Sequence, residues 1–126
     1  MSLSLFDTHL HLGPDDSAAE ILTAARAVGV DGFVLVASDL ADAERLLPIA
    51  AVRDGVYSTA GVHPHEAVGY GGDLTGFEAL VAHPKVCAVG EIGLDYYYDH
   101  SPREQQCRTF EAMLDFAAAA GKPAIV

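Results

Sequence analysis

Cationic residues are scarce in this sequence: seven Lys plus Arg stand against eighteen Asp plus Glu, giving a net charge of −11. That balance argues against a broad basic surface gripping a nucleic-acid backbone through its phosphates. It leaves phosphate chemistry open, because a bound metal ion supplies positive charge locally. Long apolar runs are also missing. No stretch approaches the roughly 18 residues needed to span a bilayer, so no membrane association is expected. The opening MSLSLFDTHLHLG has neither a basic n-region nor a long apolar h-region and does not read as a signal peptide. The only cysteines, Cys87 and Cys107, form no C-x-x-C pair and read as small buried residues of a reduced, cytosolic protein. Nor is there a G-x-S-x-G elbow, a P-loop or a G-x-G-x-x-G turn, which removes support for covalent serine catalysis and for cradling nucleotide phosphates.

Short apolar runs alternate instead with helix-type segments over 126 residues, about half of them apolar, enough for one core. Strands are expected over Ser4 to His11, Gly32 to Ala37, Val56 to Val62 and Val86 to Ile92. Helices are expected over Ser17 to Val28, with a Ser17/Glu20 capping box, over Asp39 to Arg53, kinked or divided by Pro48, and around Leu74 to Ala82. The last helix opens at Ser101 as N-cap, with Pro102 at its first position and Glu104 closing a capping box. Cys107, Phe110, Met113, Leu114 and Ala117 form its apolar stripe, Gly121 and Pro123 end it, and Ala124 to Val126 begins a fifth apolar run. Such alternation implies right-handed βαβ units around a parallel sheet. A doubly wound sheet is complete at about this size, whereas a (β/α)8 barrel takes roughly 200 residues or more. In both, the ligand-binding face lies where strands run into the loops that follow.

Polar residues gather on that face. Residues two apart on a strand share a side, so His9 and His11 present two imidazoles together, suited to chelating Zn²⁺ or a similar ion, with Asp7 at the same parity to orient a ligand. Two solvated strand-end histidines are the alternative. His63 and His65, stiffened by Pro64, bring two more imidazoles past the third strand. Glu91 follows an apolar strand core between glycines; buried and unpaired it costs several kcal/mol, a cost that metal ligation removes. Asp95, just beyond, is a candidate for a supporting or substrate role, and Tyr96, Tyr97 and Tyr98 for lining a pocket or stacking on a substrate ring. His83, at the opposite end of the sheet, and His100, beside the last helix, read as structural or solvated.

FDTHLHL, GVHPHEA and EIGLDYYYD, followed by SPREQQCRTFEAMLDFAAAAGKPAIV, resemble the TatD family of metal-dependent deoxyribonucleases among the amidohydrolase-like barrels. The motifs fall in the family's order and spacing from Phe6 to Val126. The resemblance implies a (β/α)8 TIM barrel, of which residues 1–126 supply four βα units and the start of strand five, the N-terminal portion of one barrel domain. It implies one or two divalent ions (Zn, Mg or Mn) and hydrolysis of phosphodiester bonds in DNA. His9 and His11 match the family's first ligand pair, Glu91 its bridging, catalytic carboxylate, and His63 and His65 its G-x-H-P-H motif, read as substrate-phosphate contacts. In the family, the strand matching Lys122 to Val126 runs into a further ligand histidine, and later strands add a His and an Asp. The chain is therefore expected to hold part of the metal site, with an open sheet edge suited to pairing. Two other readings stand beside the nuclease: a related barrel hydrolysing a small phosphate, ester or amide, which the acidic balance favours, and a catalytically incomplete fragment.

Overall fold

The computed structural model describes residues 4–126; residues 1–3, part of the opening stretch read above, lie outside the described residues. Strands β1 (Leu5–Leu10), β2 (Val30–Leu35), β3 (Val56–Ala60) and β4 (Val86–Val89) alternate with helices α1 (Ala18–Ala27), α2 (Leu40–Ala51), α3 (Thr75–Val81) and α4 (Arg103–Ala120). A 3-10 turn, Pro64–Gly69, follows β3.

Strand order decides the architecture. The sheet runs β1-β2-β3-β4, and every neighbouring pair is parallel. A doubly wound sheet reverses direction at a switch point; here each right-handed crossover steps the same way, so all helices fall on one face, as in a (β/α)8 barrel. Ala124 bridges Val89 in parallel, marking a fifth strand position. The core lies between that helical face and the sheet, where Phe33, Leu35, Leu46, Val56, Phe77, Val86 and Met113 are wholly buried. On the barrel side, Phe6 stacks on Tyr57 with ring centroids 6.4 Å apart. No helix among the described residues is long and apolar enough to cross a membrane.

Local signals hold with instructive exceptions. Ser17 caps α1 by accepting the Glu20 N–H at 3.4 Å, and Asp39 caps α2 by accepting the Asp42 N–H at 2.8 Å. Pro48 leaves α2 undivided. It sits at an exposed position, and Glu44, whose carbonyl it leaves without the usual N–H partner, is exposed too. Ser101 is not an N-cap: α4 starts at Arg103, and its cap position, Pro102, makes no side-chain bond. The buried Ser101 hydroxyl instead donates to His65 O at 2.9 Å and accepts the Val68 N–H at 3.0 Å, tying the start of α4 to the 3-10 turn.

Candidate metal centre

Three strand ends converge on one point. β4 leaves its ladder at Val89, yet the chain beyond stays anchored: Gly90 N–H donates to Ala60 O at 3.1 Å and Glu91 N–H to Ala37 O at 2.9 Å. Glu91 thus reaches past β3 to the end of β2. Thr59, fully buried on β3, clasps all three, its hydroxyl accepting the Ala37 N–H at 3.0 Å and donating to Gly90 O. The approach also needs glycine: a Cβ on Gly61 would stand 2.7 Å from Gly90 N and 2.8 Å from its Cα.

On this frame His9, His11 and Glu91 form a triangle. His9 Nε2 lies 3.1 Å from His11 Nε2 and 3.1 Å from Glu91 Oε2, and His11 Nε2 lies 3.5 Å from that same oxygen. Ligands at 2.0–2.1 Å from a tetrahedral ion are separated by about 3.3 Å, and cis ligands of an octahedral one by about 3.0 Å. The triangle's spacings are therefore those of donors around one divalent ion. Two neutral imidazoles and a carboxylate make a donor set suited to Zn, with the carboxylate also serving harder ions. His11 Nδ1 donates to Val36 O at 3.1 Å, which fixes the tautomer and leaves the Nε2 lone pair for the ion.

Asp7 supports this arrangement indirectly. The β1–β2 register shifts between Asp7 and Leu10, and Asp7 Oδ1 accepts the His9 backbone N–H at 3.1 Å, so it holds the strand rather than an imidazole. His63 Nε2 faces Glu91 Oε1 at 3.7 Å. Its Nδ1 accepts the His65 N–H at 3.1 Å, so the neutral ring carries its proton on Nε2, toward the site. Burial pushes the His63 pKa down, against the opposing pull of Glu91. His65 turns away and donates Nε2–H to Asp95 Oδ2. Asp95 Oδ1 also accepts the Tyr97 and Tyr98 N–H groups at 2.9 and 3.0 Å. The His65 bond, with these amides, draws the Asp95 carboxyl down to about 2.

The loop's main anchor was missed in the sequence. Gln106, buried on α4, accepts the Asp95 N–H at 2.7 Å and donates to Asp95 O at 3.0 Å and Ser101 O at 2.8 Å. A polar residue four and seven positions before Phe110 and Met113, on their apolar stripe, was the available signal. Arg45 was missed as well; it pins the loop after β1 by donating to Leu12 O and pairing with Asp42. His83 lies at the far end, its Nδ1 capping the Lys85 N–H at 3.1 Å. His100 is more engaged than expected, with its ring 4.5 Å from that of His65. Both cysteines are half-buried and unpaired, and burial pushes the Cys87 thiol up.

Sequential parallel strands with a histidine pair and a carboxylate at their carboxyl ends are the arrangement of a barrel protein with a candidate metal site on its carboxyl-end face. The chain belongs to the family described as TatD related DNase, whose profile matches residues 6–126. It is 35% identical over 126 residues to YabD of Bacillus subtilis (strain 168), named an uncharacterized metal-dependent hydrolase, covering 97% of this chain and 49% of that protein. It is 38% identical over 106 residues to the 3'-5' ssDNA/RNA exonuclease TatD of Edwardsiella piscicida, covering 82% and 41%. The crystal structure of YjjV, a TatD homolog from Escherichia coli K12, superposes with a TM-score of 0.85 at 28% identity, covering 95% of this chain and 49% of that one. The chain thus spans about half the length of the relatives it matches.

Proposed function

We propose that this protein is a TatD-type hydrolase that cleaves phosphodiester bonds in nucleic acid at a divalent ion held by His9, His11 and Glu91. Residues 1–126 are then the N-terminal portion of one barrel domain, working in the reducing cytoplasm. The observation that carries the reading is the donor triangle of 3.1, 3.1 and 3.5 Å formed where the chain leaves β1 and β4. When bound, a divalent ion (Zn, Mg or Mn) supplies Lewis acidity at the phosphodiester and makes water a usable nucleophile near neutral pH.

The protein's own groups do the positioning. Val36 O holds His11 in the ligating tautomer, and Asp7 holds the His9 backbone. Glu91 is fixed by its own N–H on Ala37 O and by the Thr59–Gly90 bond. His63, kept neutral by burial, presents Nε2–H as a donor to a phosphate oxygen. His65 and Asp95 form the adjoining wall, with His65 reaching substrate by exchanging its Asp95 bond. The relative's name, a single-strand DNA and RNA exonuclease, supports nucleic acid as substrate.

Hydrolysis of a single-stranded oligonucleotide by wild type, His9→Ala and Glu91→Gln tests the reading. Loss of about 100-fold or more in kcat/KM is expected in both variants, the scale of removing a metal-supporting group. Equal activity in all three refutes the metal role. Turnover of small phosphate esters with no cleavage of oligonucleotides at any metal tested transfers the site to the small-substrate class, which the charge of −11 favours.

A further inference from the structure

An acidic protein that binds a polyanion has few cations to follow the phosphates beyond the one held at its metal site. Each of the seven Lys and Arg side chains is hydrogen-bonded within the chain. The two at the barrel mouth, Arg45 and Arg103, are held by Asp42 and Asp99. Every one of them already has a partner in the chain, and among the described residues no unpaired Lys or Arg lines the mouth.

Beside the metal triangle, a cavity of about 390 Å³ joins His63 and Glu91 to Tyr96 and Tyr97. The three consecutive tyrosines are not equivalent. Tyr96 is tethered, its hydroxyl 3.2 Å from Cys107 Sγ and its ring under the Arg103 guanidinium at 4.6 Å. Tyr98 is already stacked on His100, with ring centroids 5.6 Å apart and planes 1° from parallel. Tyr97 is 86% exposed, its ring 4.8 Å from that of Tyr98 with planes 86° apart, so most of its ring surface is open.

An exposed aromatic ring is costly to order when its loop is loose. This one is braced: Asp95 accepts the Tyr97 N–H, Gln106 clasps both backbone groups of Asp95, and Arg103 donates to Tyr96 O at 3.2 Å. The ring is therefore presented on a preorganised backbone, at the wall of the cavity that leads to the metal ligands.

We propose that the open face of Tyr97 is a stacking platform for an unpaired nucleobase adjoining the phosphodiester held at the His9–His11–Glu91 cluster. The protein then takes single-stranded nucleic acid and grips it by its bases. Stacking suits this role because every base offers a π-face whatever its sequence, whereas a base in a duplex has both faces occupied. The inference rests on the nuclease reading for the identity of the ligand, and it assigns specificity to a residue outside the ligand set.

Binding of nuclease-resistant phosphorothioate oligonucleotides, read by fluorescence anisotropy in Mn²⁺ buffer, tests it. Two probes of equal length are used, one base-bearing and one abasic near its 3' end. Tyr97→Ala is expected to weaken binding of the base-bearing probe by roughly 5- to 150-fold, the range for loss of one base–aromatic stack. Tyr97→Phe should bind like wild type, and the abasic probe should not distinguish wild type from Tyr97→Ala. Equal affinity of wild type for the two probes, no binding of the base-bearing probe, or the same loss on both in Tyr97→Ala overturns the platform. Because binding is read without turnover, absence of hydrolysis alongside base-dependent binding defeats only the nuclease reading, and hydrolysis with base-independent binding defeats only the platform.

Discussion

Replacing Thr59 by valine preserves shape and removes one hydroxyl. That hydroxyl accepts the Ala37 N–H at 3.0 Å and donates to Gly90 O, and the side chain is wholly buried. Water cannot take its place, so both backbone groups are left without partners. Each buried group stranded in this way costs about 1–3 kcal/mol, and the added methyl recovers about 1 kcal/mol, leaving a net loss of about 1–5 kcal/mol. Unfolding a chain of 126 residues carries an entropy of about 0.26 kcal/mol/K, so Tm should fall by about 4–19 °C. Thermal unfolding followed by far-ultraviolet circular dichroism gives the number. Thr59→Ser keeps the hydroxyl and sheds a methyl, and should lose only about 1 kcal/mol, or about 4 °C. A Thr59→Val protein within 2 °C of wild type (roughly 0.5 kcal/mol on the same scale), or a serine variant as damaged as the valine one, refutes the clasp.

Asp95 should mark a transition in acid. Its carboxyl is held down to about 2 by the His65 bond and the Tyr98 and Tyr97 amides. A depressed carboxylate contributes stability that is fully present above its ordinary value of 3.8 and is lost as pH falls through about 2. Tyrosine emission should report loosening of the 95–101 loop in that window, and Asp95→Asn should abolish the pH dependence; an unchanged acid profile in the variant contradicts the assignment. Gly61→Ala places a Cβ 2.7 Å from Gly90 N, backbone against backbone, and should cost about 1–3 kcal/mol while weakening metal binding. A variant with wild-type Tm and metal affinity would show that the close approach is dispensable. Gln106→Leu removes three bonds to the loop and should speed amide exchange of Asp95 by at least tenfold, about 1.4 kcal/mol; unchanged protection there counts against the anchor.

Much of the fold was written in local signals. Ser17, Asp39 and the apolar stripes place the helices to within a residue or two, and strand–helix alternation gives the parallel sheet. The choice between barrel and doubly wound sheet was not legible from periodicity, because both use the same βα unit; strand order, a long-range property, decides it. At the site, the pairing of His9 with His11 followed from strand geometry, and Glu91 stood out as a carboxylate after an apolar run. Asp7 had the right parity but a register shift intervenes, and such shifts leave no mark in a single sequence. Ser101 looked like a helix cap because the S-P-x-E pattern is a capping signal; a competing partner thirty-odd residues away claimed its hydroxyl. Thr59 passes for an ordinary β-branched strand residue, and only its burial between three strand ends reveals its part.

Metal binding at the triangle is the central claim, and equilibrium dialysis against Zn²⁺ and Mn²⁺ with metal analysis of the protein tests it directly. Wild type and His83→Gln, altered at the far end of the sheet, should retain the ion alike, whereas His9→Ala and Glu91→Gln should lose affinity by about 100-fold or more while remaining folded by circular dichroism. Equal retention by all four proteins, or no binding by folded wild type at millimolar metal, contradicts the account.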